Sequence, residues 1–323
     1  MVVLPLDPPK AADPRPTDAV GAGWSCALVN NMPDSAFAET ERQFLDLLDA
    51  GSGPDPLGVR LFALPGVPRG REVGRRIDEV YSPPADLVDR PPDVLVVTGA
   101  NPVEQDIEDE PFWDELVGLL TWSSEHVPTM LLSCLSAHAA LQVFDGIRRT
   151  PLAAKCAGVF AQTSDPDHPL SAGLGRSAVL PHSRMNAVSM DDMRACGYDL
   201  PVYSDQVGWS VATRTVGTSR VVLMQAHPEY GPTSLIREYH RDARRFVRGQ
   251  RDELPVLPWR CAKGDDWDAL VDLQRRLADG DRDPSLVESF PFRDVEGRAP
   301  WTWRSPARRL YSNWLAAVPN PSR

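Results

Sequence analysis

The chain has 323 residues, 42% hydrophobic and 24% charged, enough for one large α/β domain with additions or for two modest ones. A net charge of −11 argues against nucleic acid or a membrane surface as the main partner, and no apolar run reaches the roughly 18 residues of a membrane helix. The five cysteines (Cys26, Cys134, Cys156, Cys196 and Cys261) are odd in number and lack zinc spacing, which fits a reducing cytosolic compartment and no bound metal.

Residues 1–22 are broken by prolines and lack a long apolar core, so they read as a disordered tail rather than a signal peptide. Trp24 to Asn30 reads as a buried strand, followed by turn chemistry at Asn31-Met32-Pro33-Asp34. Phe37, Phe44, Leu45, Leu47 and Leu48 among charges predict an amphipathic helix from Phe37 to Leu48. Val59 to Leu64 is a second strand. Residues 66–75 read as a loop, with a short helix around Arg76–Tyr81.

Asp93 to Thr98 is an apolar, β-branched run that ends in Gly99-Ala100-Asn101-Pro102, as a buried parallel strand does. A helix follows over Glu110–His126, then a strand over 128–133, then a helix from about 135 to 143. The alternation predicts a doubly wound, mostly parallel sheet, in which ligands bind beyond the carboxyl ends of the strands. The second half is less regular. Arg220 to Gln225 is a strong strand, Leu235 to Val247 a charged helix, Asp268–Leu277 a short helix among loops, and Arg304–Ala317 a closing helix. One domain over 23–318 is expected, with a short tail at 319–323.

Cys134 falls at a strand-to-helix corner. Helix-start amides favour a thiolate and can hold an oxyanion, so this corner supplies two requirements of nucleophilic catalysis. His227 follows another strand and can carry the proton; Glu229, two residues on and past a stiffening proline, can orient the imidazole. The residues alone leave a buried structural thiol and a nucleophile evenly balanced.

An ordered set of motifs goes further. It runs Asn31-Met32-Pro33, Glu39-Thr40-Glu41, Val97-Thr98-Gly99-Ala100, Trp113-Asp114-Glu115-Leu116 and Cys134. It continues through Lys155, Gly158-Val159-Phe160, Pro181-His182-Ser183-Arg184, His227-Pro228-Glu229-Tyr230, Glu238-Tyr239, Arg241-Asp242 and Ser312-Asn313-Trp314-Leu315. From about residue 24 to 317 the chain resembles the homoserine O-acyltransferases of methionine biosynthesis. The resemblance implies a class I glutamine-amidotransferase-like fold, a flavodoxin-like three-layer sandwich. It implies ping-pong transfer from an acyl-CoA to the hydroxyl of a small amino acid, with no bound cofactor and commonly as a homodimer. Cys134 would carry the acyl group, with His227 as base, Glu229 as its partner and Leu135 as an oxyanion donor. Lys155, Ser183 and Arg241 would contact the substrates. Arg241 offers a fork for an α-carboxylate and Glu238 a carboxylate for the ammonium.

Glu104 matches the position that sorts acyl donors in that family, and a glutamate there implies acetyl-CoA rather than succinyl-CoA. An extra residue, Asn101, precedes it, and a shift by one would bring Val103 to that position. The chain departs from the family at Leu135-Ser136-Ala137-His138, where Trp-Gly usually follows the cysteine. It has Met185-Asn186 where the family has a histidine. It also lacks the lysine expected after Asn-x-Met-Pro, reading Asp34-Ser35-Ala36-Phe37-Ala38 instead. His138 is expected on a helix face, with the core or a new substrate contact as the alternatives. These departures leave L-serine or another hydroxy amino acid open as acceptor. A glutamine-amidotransferase-like hydrolase and a catalytically silent relative are the other readings.

Overall fold

The short apolar runs of the first half stack side by side in one sheet. The computed structural model describes residues 24–53, 57–176 and 178–318, so the expected tails at 1–22 and 319–323 lie outside the described residues. The first strands are β1 (Trp24–Val29), β2 (Leu57–Phe62), β3 (Val94–Val97) and β4 (Thr129–Ser133). Between and after them run α1 (Asp34–Ser52), α2 (Arg71–Val80), α3 (Ala85–Asp89), α4 (Trp113–His126) and α5 (Leu135–Asp145).

The later strands are β5 (Thr150–Ala161), β6 (Thr163–Ser164), β7 (Val179–Ala187), β8 (Asp199–Ser204), β9 (Gly208–Val216) and β10 (Ser219–Met224). The later helices are α6 (Met190–Ala195), α7 (Ser234–Val247), α8 (Asp265–Ala278), α9 (Pro284–Glu288), α10 (Phe292–Gly297) and α11 (Arg304–Ala316).

Eight of these strands form one sheet in the order β2-β1-β3-β4-β10-β9-β8-β6. Pairing is parallel from β2 through β10 and antiparallel beyond. Alternation sorts β3 between two cores: Val94 and Val96 join α1, α7 and α11 on one face, while Leu95 and Val97 join α4 and α5 on the other. All four side chains are fully buried, each contributing roughly 1.5–3 kcal/mol of apolar transfer. Burial on both faces is why these strands read as unbroken apolar runs. The result is the expected doubly wound three-layer sandwich.

Several boundaries move. Helix α2 begins at Arg71, inside the expected loop, because Val73, Ile77 and Val80 lie at helical spacing among the arginines. Helix α1 extends to both sides of the expected core. The larger difference lies between 150 and 216, where five strands form that the sequence reading did not assign. β5 and β7 pair with each other as an antiparallel ladder outside the main sheet, with a register shift between Pro151 and Cys156. Gly158 fixes where this ladder lies: it bridges to Trp259 at φ 146°, and a Cβ there would meet Trp259 at 2.6 Å.

Candidate active site

The carboxyl ends of β1, β3, β4 and β10 all open into one cavity of about 440 Å³. Cys134 caps β4 with φ 50° and ψ −107°. Among the described residues only Arg260 shares a positive φ without being glycine. Such a conformation costs on the order of 1–3 kcal/mol and survives where the surroundings enforce it. Here the Cys134 N–H donates to the Met224 carbonyl at 2.7 Å, and the first two turns of α5 are wholly buried.

Ser136 completes the corner. Its hydroxyl donates to the Thr98 carbonyl at 2.5 Å and ties α5 to the end of β3. The turn after β3 thereby lies against the elbow: a Cβ on Gly99 would sit 3.4 Å from the Cys134 Cβ and 3.7 Å from the Leu135 nitrogen. Leu135 is the first residue of α5, so its N–H has no acceptor within the helix.

His227 follows β10, the strand beside β4, and its N–H is anchored on the Pro181 carbonyl at 2.8 Å. Its Nδ1 meets Glu229 Oε1 at 2.7 Å, and its ring stacks on Tyr230 with centroids 4.4 Å apart. Burial opposes the imidazolium, but Glu229 and Cys134 together outweigh it and hold His227 above its ordinary range. Nε2 is buried without a hydrogen-bond partner of good geometry, while Cys134 is near enough to act on its basicity. The three residues singled out at separate points of the chain therefore share one corner.

A second polar cluster lies on another wall. Glu238 Oε2 accepts from Lys155 Nζ at 2.9 Å and Ser183 Oγ at 2.5 Å, and Oε1 accepts from Tyr230 OH at 2.6 Å. Burial would raise this carboxyl, but Lys155, Ser183 and Tyr230 outweigh it and hold it at about 2. Lys155 and Ser183 come from β5 and β7, so the unassigned ladder carries half the cluster. Glu238, Arg241 and Arg245 of α7 share the cavity face at i, i+3 and i+7. Arg241 lies along its own helix, with Nε and Nη2 on Asp242 Oδ1 at 3.1 and 3.0 Å, and its side chain is half exposed. Buried Asp242 also takes Lys155 at 3.4 Å and Arg251 at 3.2 Å.

Glu104 is not brought to this cavity. The wall at that turn is Gly99 to Pro102, Val103 is 78% exposed, and the Glu104 backbone N–H is tied to Glu110 at 2.8 Å. His138 is a correction: it is buried rather than on an exposed helix face, because its side of α5 packs under the sheet end. It contacts Gln225 Oε1 at 3.1 Å, tilts against Trp209 and lines the cavity. Burial pushes its imidazole down to about 4. The segment lacking the family lysine does line the cavity, through Met32, Pro33, Ser35 and Ala36. Tyr230, Arg149 and Arg184 also line it. Tyr230 and Arg184 stood within quoted motifs without a role; no local signal marked Arg149.

Among the described residues no group of acidic, histidine or cysteine side chains has the spacing to hold a metal ion, all five cysteines are free, and no helix is long and apolar enough to cross a membrane.

Residues 21–320 match the family model described as homoserine O-succinyltransferase. A homoserine O-succinyltransferase of Rhodopseudomonas palustris is 40% identical over 291 residues, covering 90% of this chain and 87% of the relative. One from Methylorubrum extorquens is 41% identical over 292 residues, covering 90% and 86%. Among solved structures, a glutamine amidotransferase of Thermotoga maritima superposes with a TM-score of 0.51 at 11% identity, over 91% of this chain and 98% of that one. That likeness concerns the fold.

Proposed function

The chain belongs to the homoserine O-succinyltransferase family, and on that premise we propose that it transfers a succinyl group from succinyl-CoA to the hydroxyl of homoserine through a thioester on Cys134. The observation that carries this reading is the corner itself: Cys134 beside a His227–Glu229 pair, opening into a cavity with a polar amino-acid-sized wall.

In the first half-reaction the Cys134 thiolate attacks the thioester carbonyl. The oxyanion that forms faces the Leu135 N–H at the start of α5. The carbonyl–sulfur bond to CoA then breaks, and the departing thiolate takes its proton from the His227 imidazolium. In the second half His227, now neutral, removes the proton from the acceptor hydroxyl. The oxygen attacks the Cys134 thioester, the ester forms and Cys134 is released. Glu229 holds the imidazole tautomer throughout. The polar wall suits the acceptor: Glu238 Oε1 carries one donor and keeps a lone pair for an ammonium, while Arg241 has its outer nitrogen free for an α-carboxylate. One acyltransferase domain over 23–318 is part of the proposal.

Acetyl-CoA was expected on the strength of Glu104. That residue lies off the cavity wall, and the relatives at 40% and 41% identity are succinyltransferases, so succinyl-CoA is the donor proposed. The test is incubation with each acyl-CoA and no acceptor, followed by mass measurement of the peptide containing Cys134. Succinylation lost in Cys134→Ala supports the reading. Absence of any acyl adduct, with glutamine hydrolysed instead, overturns it in favour of the amidotransferase reading.

A further inference from the structure

Resting on that reading, we infer that Arg149 is the residue that receives the distal carboxylate of the succinyl group and so selects the acyl donor. Two guanidiniums line the cavity near the elbow, those of Arg149 and Arg184, and the Cys134 side chain is close enough to act on the charge of both. Neither has a carboxylate within ion-pair distance among the described residues. A guanidinium taken partly out of water without a counter-ion is an unfavourable arrangement unless an anion arrives to complete it.

The two differ in what they have left to give. Arg184 is 7% exposed, and its Nη1 and Nη2 donate to the Asn186 and Val207 carbonyls at 2.6 and 2.5 Å. Its fork is occupied in closing the end of β7, so it contributes charge but few donors. Among the described residues Arg149 makes one side-chain hydrogen bond, from Nη2 to the Gln105 carbonyl at 3.2 Å. A guanidinium has five N–H donors, so most of its fork is open to a ligand.

The neighbouring acids do not fill that role. Glu110 and Asp106 act on Arg149 through space, but Glu110 Oε1 is already taken by the Val103 and Glu104 amides at 2.6 and 2.8 Å. Glu110 thereby braces the turn whose Gln105 carbonyl in turn orients Arg149. Reach also agrees. An extended succinyl thioester puts its carboxylate roughly 6 Å from the sulfur, and Arg149 lines the same cavity as Cys134. An acetyl group ends at its methyl and leaves the guanidinium without a partner.

The experiment compares acylation of Cys134 by succinyl-CoA and by butyryl-CoA, which has the same four carbons and no charge. It uses the full chain without acceptor. The wild-type protein should prefer succinyl-CoA. Arg149→Met should lower the succinylation rate about 10- to 100-fold and change butyrylation less than about threefold. Arg149→Lys, which keeps the charge and loses the fork, should retain part of the preference. Equal losses with both donors would make Arg149 a general oxyanion or CoA contact, and no loss would make it a bystander; either result overturns the inference. Should Arg149→Met not fold, an unchanged donor preference in Arg149→Lys overturns it instead. A wild-type protein acylated equally by both donors sinks this inference alone. One acylated by neither sinks the transfer reading beneath it.

Discussion

The two ends of the cavity are built on opposite principles. At the acceptor wall, Glu238 is held by three donors, Lys155, Ser183 and Tyr230, drawn from β5, β7 and the turn after His227, with one Oε1 lone pair left for a ligand. At the donor wall, Arg149 leans on one backbone carbonyl and has no carboxylate partner among the described residues. A cluster bonded within the fold stabilises the fold as well as orienting a ligand; an open cation does little until a ligand arrives. Substitutions at the two ends should therefore separate stability from selectivity.

The largest expected effect is on Glu238. Glu238→Gln should slow transfer from the acylated enzyme to homoserine by about 100-fold, because a buried charge-assisted network is broken. Loading of Cys134 by succinyl-CoA should change less than about threefold, as single-turnover measurement of each half would show. Equal losses in both halves would erase the distinction between the two walls.

Acid titration sharpens the same contrast. Glu238 is held at about 2, below its ordinary 4.5, so the folded state binds its proton later than the unfolded chain. The stability it contributes is complete above pH 4.5 and is lost as pH falls towards 2, amounting to on the order of 3 kcal/mol. His138 is held at about 4, below 6.5. The unfolded chain therefore takes that proton first, and a comparable stability is lost earlier, as pH falls from 6.5 to 4. Urea midpoints measured against pH should show two steps. His138→Gln should shrink the upper one and Glu238→Gln the lower one. Buried His182, also pushed well below its usual range, adds a loss in the same direction that begins as pH falls below 6.5 and should persist in both variants.

At the donor wall the expected stability change is small. Arg149→Met should alter unfolding free energy by no more than about 0.5 kcal/mol, since no buried partner is orphaned. The smallest effect belongs to Glu104. Glu104→Ala should change the ratio of succinyl-CoA to acetyl-CoA use by less than about twofold, because the side chain is off the cavity wall.

What the sequence made legible follows the same division. Val94–Val97, Thr129–Ser133 and Ser219–Met224 are buried on both faces, so their apolar runs announced the strands, and Cys134 and His227 stood at the ends of two of them. β5 and β7 were not legible because they lie outside the main sheet and carry Lys155, Pro181, His182, Ser183 and Arg184, which break any simple alternation. Glu238 and Lys155 are 83 positions apart and met only through tertiary packing. Arg149 comes from the turn after α5, where a charged residue reads as solvated surface. The sequence expectation for His138 failed for a related reason: only the packing of Gln225 and Trp209 around α5 turns that face inward.

The account depends most directly on a relay through Cys134. The protein should be loaded with succinyl-CoA, freed of CoA by rapid gel filtration, and then given homoserine alone. The predicted result is loss of the succinyl mass from Cys134 with formation of about one equivalent of O-succinylhomoserine per loaded chain. Product formed only while succinyl-CoA remains present, or a succinyl adduct that homoserine does not discharge, would contradict it.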